Sequence, residues 1–262
     1  MGSRIAVAIP GIVLAIAVVY VGGPLFVAAV VVVALVGVYE YLNLVAGIAP
    51  LRWAAYVGTA VTVALPAMVD PPERAVALGA AAVLVLSAVA GLILRNREEV
   101  TIRVALTVLG GMYLGVPLGL LVATRELTHG AAAVANVLVG TWAFDTFSYF
   151  GGRLWGAHPI APRTSPKKTV EGFVAGVAGG TIAVWVAGLY MDWIGHIESL
   201  VLGLVICLVA YVGDLFESML KRDIGVKDSG RILAGHGGVL DRFDALLFTA
   251  AAGYFTTVWL VL

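Results

Sequence analysis

The sequence predicts an all-α, polytopic integral membrane protein with about nine transmembrane helices. Of its 262 residues, 61% are hydrophobic and only 12% are charged, roughly half the charged fraction of a typical soluble domain. Apolar runs of about 18 residues or more, long enough to cross a bilayer, follow one another along nearly the whole chain. The predicted spans are residues 5–22, 24–45, 52–69, 74–94, 101–123, 130–152, 169–191, 198–220 and 239–262.

The first five spans contain few polar residues. Gly111, Gly115 and Gly119 recur at four-residue spacing in the fifth span, a pattern that lets helices approach closely in a membrane. We therefore expect residues 1–125 mainly to pack and to anchor the chain, within a single transmembrane domain that covers residues 1–262.

The basic residues indicate how the spans are oriented. Of the 16 Lys and Arg residues, all but Arg74 and Arg125 lie at the N-terminus or around the loops that follow the even-numbered spans. Such loops face the cytoplasm, so we expect a cytoplasmic N-terminus, an outward-facing C-terminus and a location in the cell (inner or plasma) membrane. Arg4 precedes an apolar run with no small-x-small cleavage site after it, so we expect the first span to be retained.

Polar residues collect in the second half of the chain. Asp145 lies late in the sixth span, and the loop after it contains "SPKKT", residues 165–169. We expect residues 140–262 to hold the catalytic helices and the cytoplasmic loops. The seventh span repeats the four-residue glycine spacing, at Gly172, Gly176 and Gly180.

The last two spans carry acidic residues at helical spacing. An ionised acid inside a bilayer costs about 2.5–3.5 kcal/mol on insertion scales, so it marks a polar cavity, an ion pair or a bound cation. For Glu217 and Asp223 we expect interfacial positions, solvated or paired with Lys221, Arg222 and Arg242. For Asp214 and Asp241, on helices joined by a glycine-rich loop, we expect a metal site. The acidic faces contain Asp214, Glu217, Ser218 and Lys221 in the eighth span, and Asp241 and Asp244 in the ninth.

Oxygen ligands favour a hard cation, above all Mg²⁺, whose shell is usually completed by water and substrate phosphate. Cys207 is the single cysteine, which excludes a disulfide framework and a cysteine metal site. No G-x-x-x-x-G-K-[ST] loop and no serine–histidine–acid arrangement is evident. Residues that could neutralise or approach phosphate are Lys167, Lys168, Lys221, Arg222, Lys227 and Arg231, with the glycines 235, 237 and 238 around His236.

The stretch "SMLKRDIGVKDSGRILAGHGGVLDRFD", residues 218–244, resembles the signature of the phosphatidate cytidylyltransferase (CDP-diacylglycerol synthase) family. "DTFSYFGGRLWG" and "SPKKTVEG" resemble a second conserved stretch of that family, and Glu40 in "YEYLNL" also fits. A small departure is Ser148 before Tyr149, where the family often has alanine. The matching residues are Ser218, Lys221, Arg222, Lys227, Asp228, His236, Gly237, Gly238, Asp241, Arg242 and Asp244, and upstream Asp145, Gly151, Ser165, Pro166, Lys167, Lys168, Thr169, Glu171 and Gly172.

The resemblance implies transfer of the cytidylyl group from CTP to phosphatidic acid, which gives CDP-diacylglycerol and pyrophosphate for phospholipid synthesis. It implies catalytic roles for Asp214, Asp241, Lys221 and Asp145, with Asp214 and Asp241 binding Mg²⁺ and a second cation left open. Asp145 and Asp244 are the second choices for cation binding. The expected partners are CTP, phosphatidic acid and membrane lipid, with no nucleic acid, and a homodimer is left open. The implied substrate-binding residues are Ser165, Lys167, Lys168, Thr169, Ser218, Arg222, Lys227, Asp228, His236, Gly237, Gly238, Arg242 and Asp244.

Two alternatives remain at the level of sequence. A CTP-dependent lipid kinase of the polyprenol or phytol type would share much of this chemistry but transfer the γ-phosphate. A cation-coupled transporter could also place acids on interrupted helices, although it predicts acids near mid-span and inverted repeats, neither of which we find.

Overall fold

Helices make up 80% of the structure. The computed structural model describes residues 2–95, 98–230 and 237–261, without the side chains of residues 2–9 and 261. Helix bounds lie within three residues of the predicted spans, except at the end of α3. The helices are α1 (Gly2–Val21), α2 (Gly23–Leu44), α3 (Arg52–Ala64), α4 (Pro72–Leu92), α5 (Val100–Glu126), α6 (Gly130–Trp155), α7 (Val170–Gly188), α8 (His196–Asp223) and α9 (Leu240–Val261).

Six helices in the described part of the chain are long and apolar enough to cross a membrane, namely α2, α4, α5, α7, α8 and α9. This supports the predicted multi-pass membrane protein at a coarse level. Helix α3 has 13 residues and extends about 20 Å, less than the hydrocarbon core of about 30 Å. It ends where Pro66 enters a 3₁₀ turn, Leu65–Ala67. The count of nine spans therefore stays a prediction.

The described chain divides into two compact units. The first comprises Met1–Leu127 and Asp228–Arg242, and the second comprises Thr128–Lys227 and Phe243–Leu262. Segment 228–242, which contains most of the glycine-rich loop, thus belongs to the first unit, together with the first residues of α9.

Helices α2 to α5 pack on one another in the first unit. A Cβ atom on Gly119 would lie 2.6 Å from the carbonyl oxygen of Thr62, and one on Gly115 would lie 3.2 Å from the Thr62 Cβ. Thr62 is fully buried, and its hydroxyl donates to the Gly58 carbonyl at 2.8 Å. The glycine spacing in α5 therefore forms a packing face, as predicted, and a buried hydroxyl is satisfied within its own helix.

Helices α6, α7 and α8 pack together in the second unit. A Cβ atom on Gly172 would lie 2.8 Å from the Ser148 carbonyl oxygen, and one on Gly180 would lie 3.2 Å from the Gly140 carbonyl oxygen. The glycine face of α7 thus lies directly against α6, which confirms the second predicted packing face. A buried cluster of Phe144, Cys207, Ala210 and Ala245 fills the core beside it.

A short hairpin, which was not predicted from the sequence, precedes α7. Strand β1 (Pro159–Ala161) pairs antiparallel with β2 (Ser165–Thr169). Pro159 lies opposite Thr169 and Ala161 opposite Ser165. The loop between the sixth and seventh predicted spans is therefore an ordered element that ends at the first turn of α7.

Candidate active site

The hairpin of the second unit positions the predicted basic pair. Lys167 is exposed on β2, whereas Lys168 is half-buried, as expected for neighbours that point to opposite faces of a strand. Thr169 is the N-cap of α7, and its hydroxyl oxygen accepts a hydrogen bond from the Gly172 amide at 3.2 Å. The cap fixes the junction between the lysine-bearing strand and the helix.

Glu171 closes the base of the hairpin. Its carboxylate accepts hydrogen bonds from the backbone amides of Ala157 at 3.1 Å and His158 at 3.2 Å. The His158 ring nitrogen Nδ1 lies 2.5 Å from the same carboxylate. An acid in the first turn of a helix is favoured by the helix dipole, so this anchor could have been suspected from the position of Glu171 in the sequence.

Lys168 forms an ion pair with α8. Its Nζ atom lies 2.6 Å from Asp214 Oδ2 and 5.6 Å from the ring centroid of Tyr211. Tyr211 and Asp214 are three residues apart and share one face of α8. The aromatic ring adds a cation–π contact to the ion pair, a role for Tyr211 that was not predicted from the sequence.

Two further aspartates surround this pair. Asp145 on α6 and Asp244 on α9 both lie within electrostatic range of Asp214. The two helices α8 and α9 meet closely here, since a Cβ atom on Gly213 would lie 2.7 Å from the Asp244 carbonyl oxygen. The second unit therefore brings together four of the site candidates that the sequence predicts: Asp145, Asp214, Asp244 and Lys168.

Glu217 corrects one expectation. A solvated position was expected as one alternative, but the side chain is 1% exposed, and its Oε1 lies 3.2 Å from Lys221 Nζ. Glu217 also contacts the Asp244 carboxyl group. The solvated alternative is wrong and the pairing with Lys221 is confirmed. Burial follows from its place between Asp214 and Lys221 on the face of α8 that packs inward.

Asp241 connects Ser229 and Gly238 in the first unit. Its carboxylate accepts hydrogen bonds from the Ser229 amide, at 3.0 Å for the shorter of two contacts, and from the Gly238 amide at 2.8 Å. Gly237 has a φ of 81°, a conformation that favours glycine. These contacts hold the Asp241 carboxylate against the backbone of Ser229 and Gly238.

The remaining predicted site residues lie as follows. The Arg222 guanidinium donates to the Val226 carbonyl at 3.0 Å and so fixes the turn that ends α8. His236 lies outside the described residues. Ser165 and Ser218 are half-buried, while Lys227, Asp228 and Arg242 are exposed.

The predicted metal ligands Asp214 and Asp241 belong to different units, and their joint role stays a prediction. Among residues 2–95, 98–230 and 237–261, no group of three or more His, Cys, Asp or Glu side chains is arranged to hold a metal ion. The acidic side chains near Asp214 are the carboxyl groups of Asp145 and Asp244, and carboxylate oxygens are ligands that Mg²⁺ prefers.

The chain is similar to known proteins. Residues 2–260 match the Cytidylyltransferase family. The chain is 46% identical over 134 residues to a phosphatidate cytidylyltransferase of Helicobacter pylori, with 50% of each chain covered. It is 42% identical over 131 residues to one of Thermotoga maritima, with 48% of each chain covered.

A phosphatidate cytidylyltransferase of Synechocystis is 48% identical over 122 residues, which cover 46% of this chain and 41% of that relative. The chain thus spans about half the length of the curated relatives that it matches.

Proposed function

Because the chain belongs to the Cytidylyltransferase family, we propose that it transfers the cytidylyl group of CTP to phosphatidic acid. The products are CDP-diacylglycerol and pyrophosphate. The relatives named phosphatidate cytidylyltransferase support this substrate pair. The observation that carries the proposal is the ion pair of Lys168 and Asp214 beside Asp145 and Asp244.

The proposed reaction needs no hydroxyl-activating base. The second ionisation of a phosphate monoester has a pKa of about 6, so the group is largely a dianion at neutral pH. One of its oxygens attacks the α-phosphorus of CTP and forms a new P–O bond. The bond from the α-phosphorus to the bridging oxygen of the β-phosphate breaks, and pyrophosphate leaves with the electron pair.

The work of the protein is then to hold two polyanions in line and to stabilise charge at the α-phosphorus. Lys168 lies beside Asp214 and Lys221 beside Glu217, and these two lysines are the proposed counter-charges for the phosphates. Lys167, exposed on the same strand as Lys168, extends that positive surface.

Mg²⁺ is the proposed cofactor, and Asp214 is its proposed ligand. The carboxyl groups of Asp145 and Asp244 near Asp214 are of the type that a hard cation prefers. Bound Mg²⁺ would reduce the negative charge of the triphosphate. Asp241 stays a predicted ligand, and in its own unit its carboxylate accepts hydrogen bonds from the Ser229 and Gly238 amides.

The proposed orientation places the N-terminus in the cytoplasm and the C-terminus outside, with all nine helices crossing the membrane. It is supported by the basic residues, of which all but Arg74 and Arg125 fall on one predicted side. On this orientation the hairpin and the end of α8 face the cytoplasm, where CTP is available, while phosphatidate arrives from the bilayer.

A label-transfer experiment tests the proposed reaction against the lipid kinase. Protein purified in detergent is incubated with phosphatidate and either α-³²P-CTP or γ-³²P-CTP, and the lipid is extracted. Label from the α position is expected in the organic phase, while γ label stays aqueous as pyrophosphate. With a lipid alcohol as acceptor, γ label in lipid and no α label would instead establish the kinase.

A further inference from the structure

Glu40 is a buried acid whose contacts lie about 200 residues away in the sequence. It sits near the end of α2 and is 1% exposed. Its carboxylate accepts hydrogen bonds from the backbone amides of Val239 at 3.0 Å and Leu240 at 2.8 Å. Val239 directly precedes α9 and Leu240 is its first residue, so helix geometry provides neither amide with an acceptor within the helix.

Two glycines, Gly230 and Gly238, lie against the same carboxylate. A Cβ atom on Gly230 would lie 2.5 Å from Glu40 Oε1, and one on Gly238 would lie 2.5 Å from Glu40 Oε2. Glycine at these two positions lets the backbone close over the acid. A side chain at position 230 or 238 would therefore collide with the Glu40 carboxylate.

Ser229 joins Glu40 to Asp241. The Ser229 hydroxyl donates to Glu40 Oε2 at 3.4 Å, and the Ser229 amide donates to the Asp241 carboxylate. Gly238 donates its amide to Asp241, and the next two amides donate to Glu40. The Asp241 carboxylate thus binds the amides of Ser229 and Gly238, and the Glu40 carboxylate binds those of Val239 and Leu240. Movement of Glu40 must therefore move the backbone that orients Asp241.

We propose that Glu40 is a positioning residue: it anchors Ser229, Val239 and Leu240 and thereby sets the orientation of the Asp241 carboxylate for catalysis. The negative charge is compensated by the amides and by the positive end of the α9 dipole, so the acid is held without entering the reaction. The proposal rests on the proposed cytidylyl transfer for its effect on turnover, but not for the contact itself.

Amide hydrogen exchange, followed by mass spectrometry on the full chain in detergent, tests the contact without reference to any substrate. In Glu40→Gln, a peptide containing Val239 and Leu240 is expected to exchange faster by about tenfold or more, the factor that corresponds to losing a hydrogen bond to a charged acceptor. Gly230→Ala, which presses on Glu40 without altering it, is expected to act in the same direction. Glu126→Gln, at an exposed acid that ends α5, is the matched control.

The kinetic effect is measured on the same preparations. Turnover is expected to fall by about 10²-fold in Glu40→Gln, the cost of a displacement of about 1 Å in a catalytic group, while the KM for phosphatidate changes little.

Unchanged exchange at Val239 and Leu240 would overturn the anchor. Faster exchange spread over α3, α4 and α5 would show a general loss of stability, and faster local exchange with normal turnover would refute the positioning role. If wild-type protein fails to label lipid from α-³²P-CTP, the proposed reaction is wrong. The exchange data still show whether Glu40 anchors Val239 and Leu240.

Discussion

At the scale of single residues, the charges around Asp214 do not balance. The second unit brings together the carboxyl groups of Asp145, Asp214, Glu217 and Asp244 and the ammonium groups of Lys168 and Lys221. Four acids against two lysines leave an excess of two negative charges when all groups are ionised. A divalent cation would neutralise that excess, which is an electrostatic reason for proposing Mg²⁺ here.

Asp214→Asn keeps the size of the side chain but removes its charge, so it should weaken cation binding. We expect activity to fall by about 10²-fold or more and the Mg²⁺ concentration for half-maximal activity to rise. Activity is measured as lipid-extractable label across a Mg²⁺ titration. Asp223→Asn, at an exposed residue that ends the same helix, is the control. Near-normal turnover of Asp214→Asn at saturating Mg²⁺ would rule out the metal assignment.

Glu217→Gln tests the buried ion pair. Because Glu217 is 1% and Lys221 13% exposed, removing the acid leaves a poorly solvated ammonium group. Breaking a buried pair costs about 3–5 kcal/mol, and a large loss of thermal stability in detergent is expected. The double variant Glu217→Gln/Lys221→Met removes both charges and should recover part of that stability while staying inactive. If the single variant is as stable as wild type, the pair does not stabilise the fold.

At the scale of elements, the sequence predicts the helices well and the contacts between them poorly. The apolar runs predict where the helices begin and end, because a helix that crosses a bilayer needs a minimum number of consecutive apolar residues. The hairpin at 159–169 has no apolar alternation to predict it. Glu40 could be singled out by resemblance, but its bonds to Val239 and Leu240 depend on long-range packing, which no local pattern encodes.

The glycine face of α7 gives a test at this scale. A Cβ atom on Gly176 would meet the Ser148 hydroxyl and lie 2.9 Å from the Phe144 ring. Gly176→Ala is expected to destabilise the protein by about 1–3 kcal/mol, the usual cost of overpacking. Gly11→Ala is the matched control, since nothing lies within 4 Å of a Cβ there and both changes gain the same helix propensity. Equal melting temperatures for the two variants in detergent would contradict close packing at Gly176.

At the scale of the whole molecule, the site residues follow the predicted alternation of the helices across the membrane. Asp145 lies late in α6, Asp214 lies late in α8, and Asp244 lies in the first turns of α9. If successive helices cross in opposite directions, the ends of even-numbered helices and the start of α9 share one side. That side is the one to which the basic residues assign the cytoplasm.

Single cysteines in a Cys207→Ala background test this orientation. The exposed positions Arg163 and Asp223 should react with an impermeant thiol reagent only when it has access to the cytoplasmic face. Asp70 and Asp192, also exposed, lie in loops after odd-numbered helices and should react only from the outer face. Inside-out and right-side-out vesicles supply the two conditions, and detergent-solubilised protein shows that every cysteine can react. Labelling at position 163 from outside would reverse the orientation and remove the hairpin lysines from the compartment that supplies CTP. If positions 70 and 192 label from opposite faces, the number of crossings between them is odd, and the span count of nine is wrong.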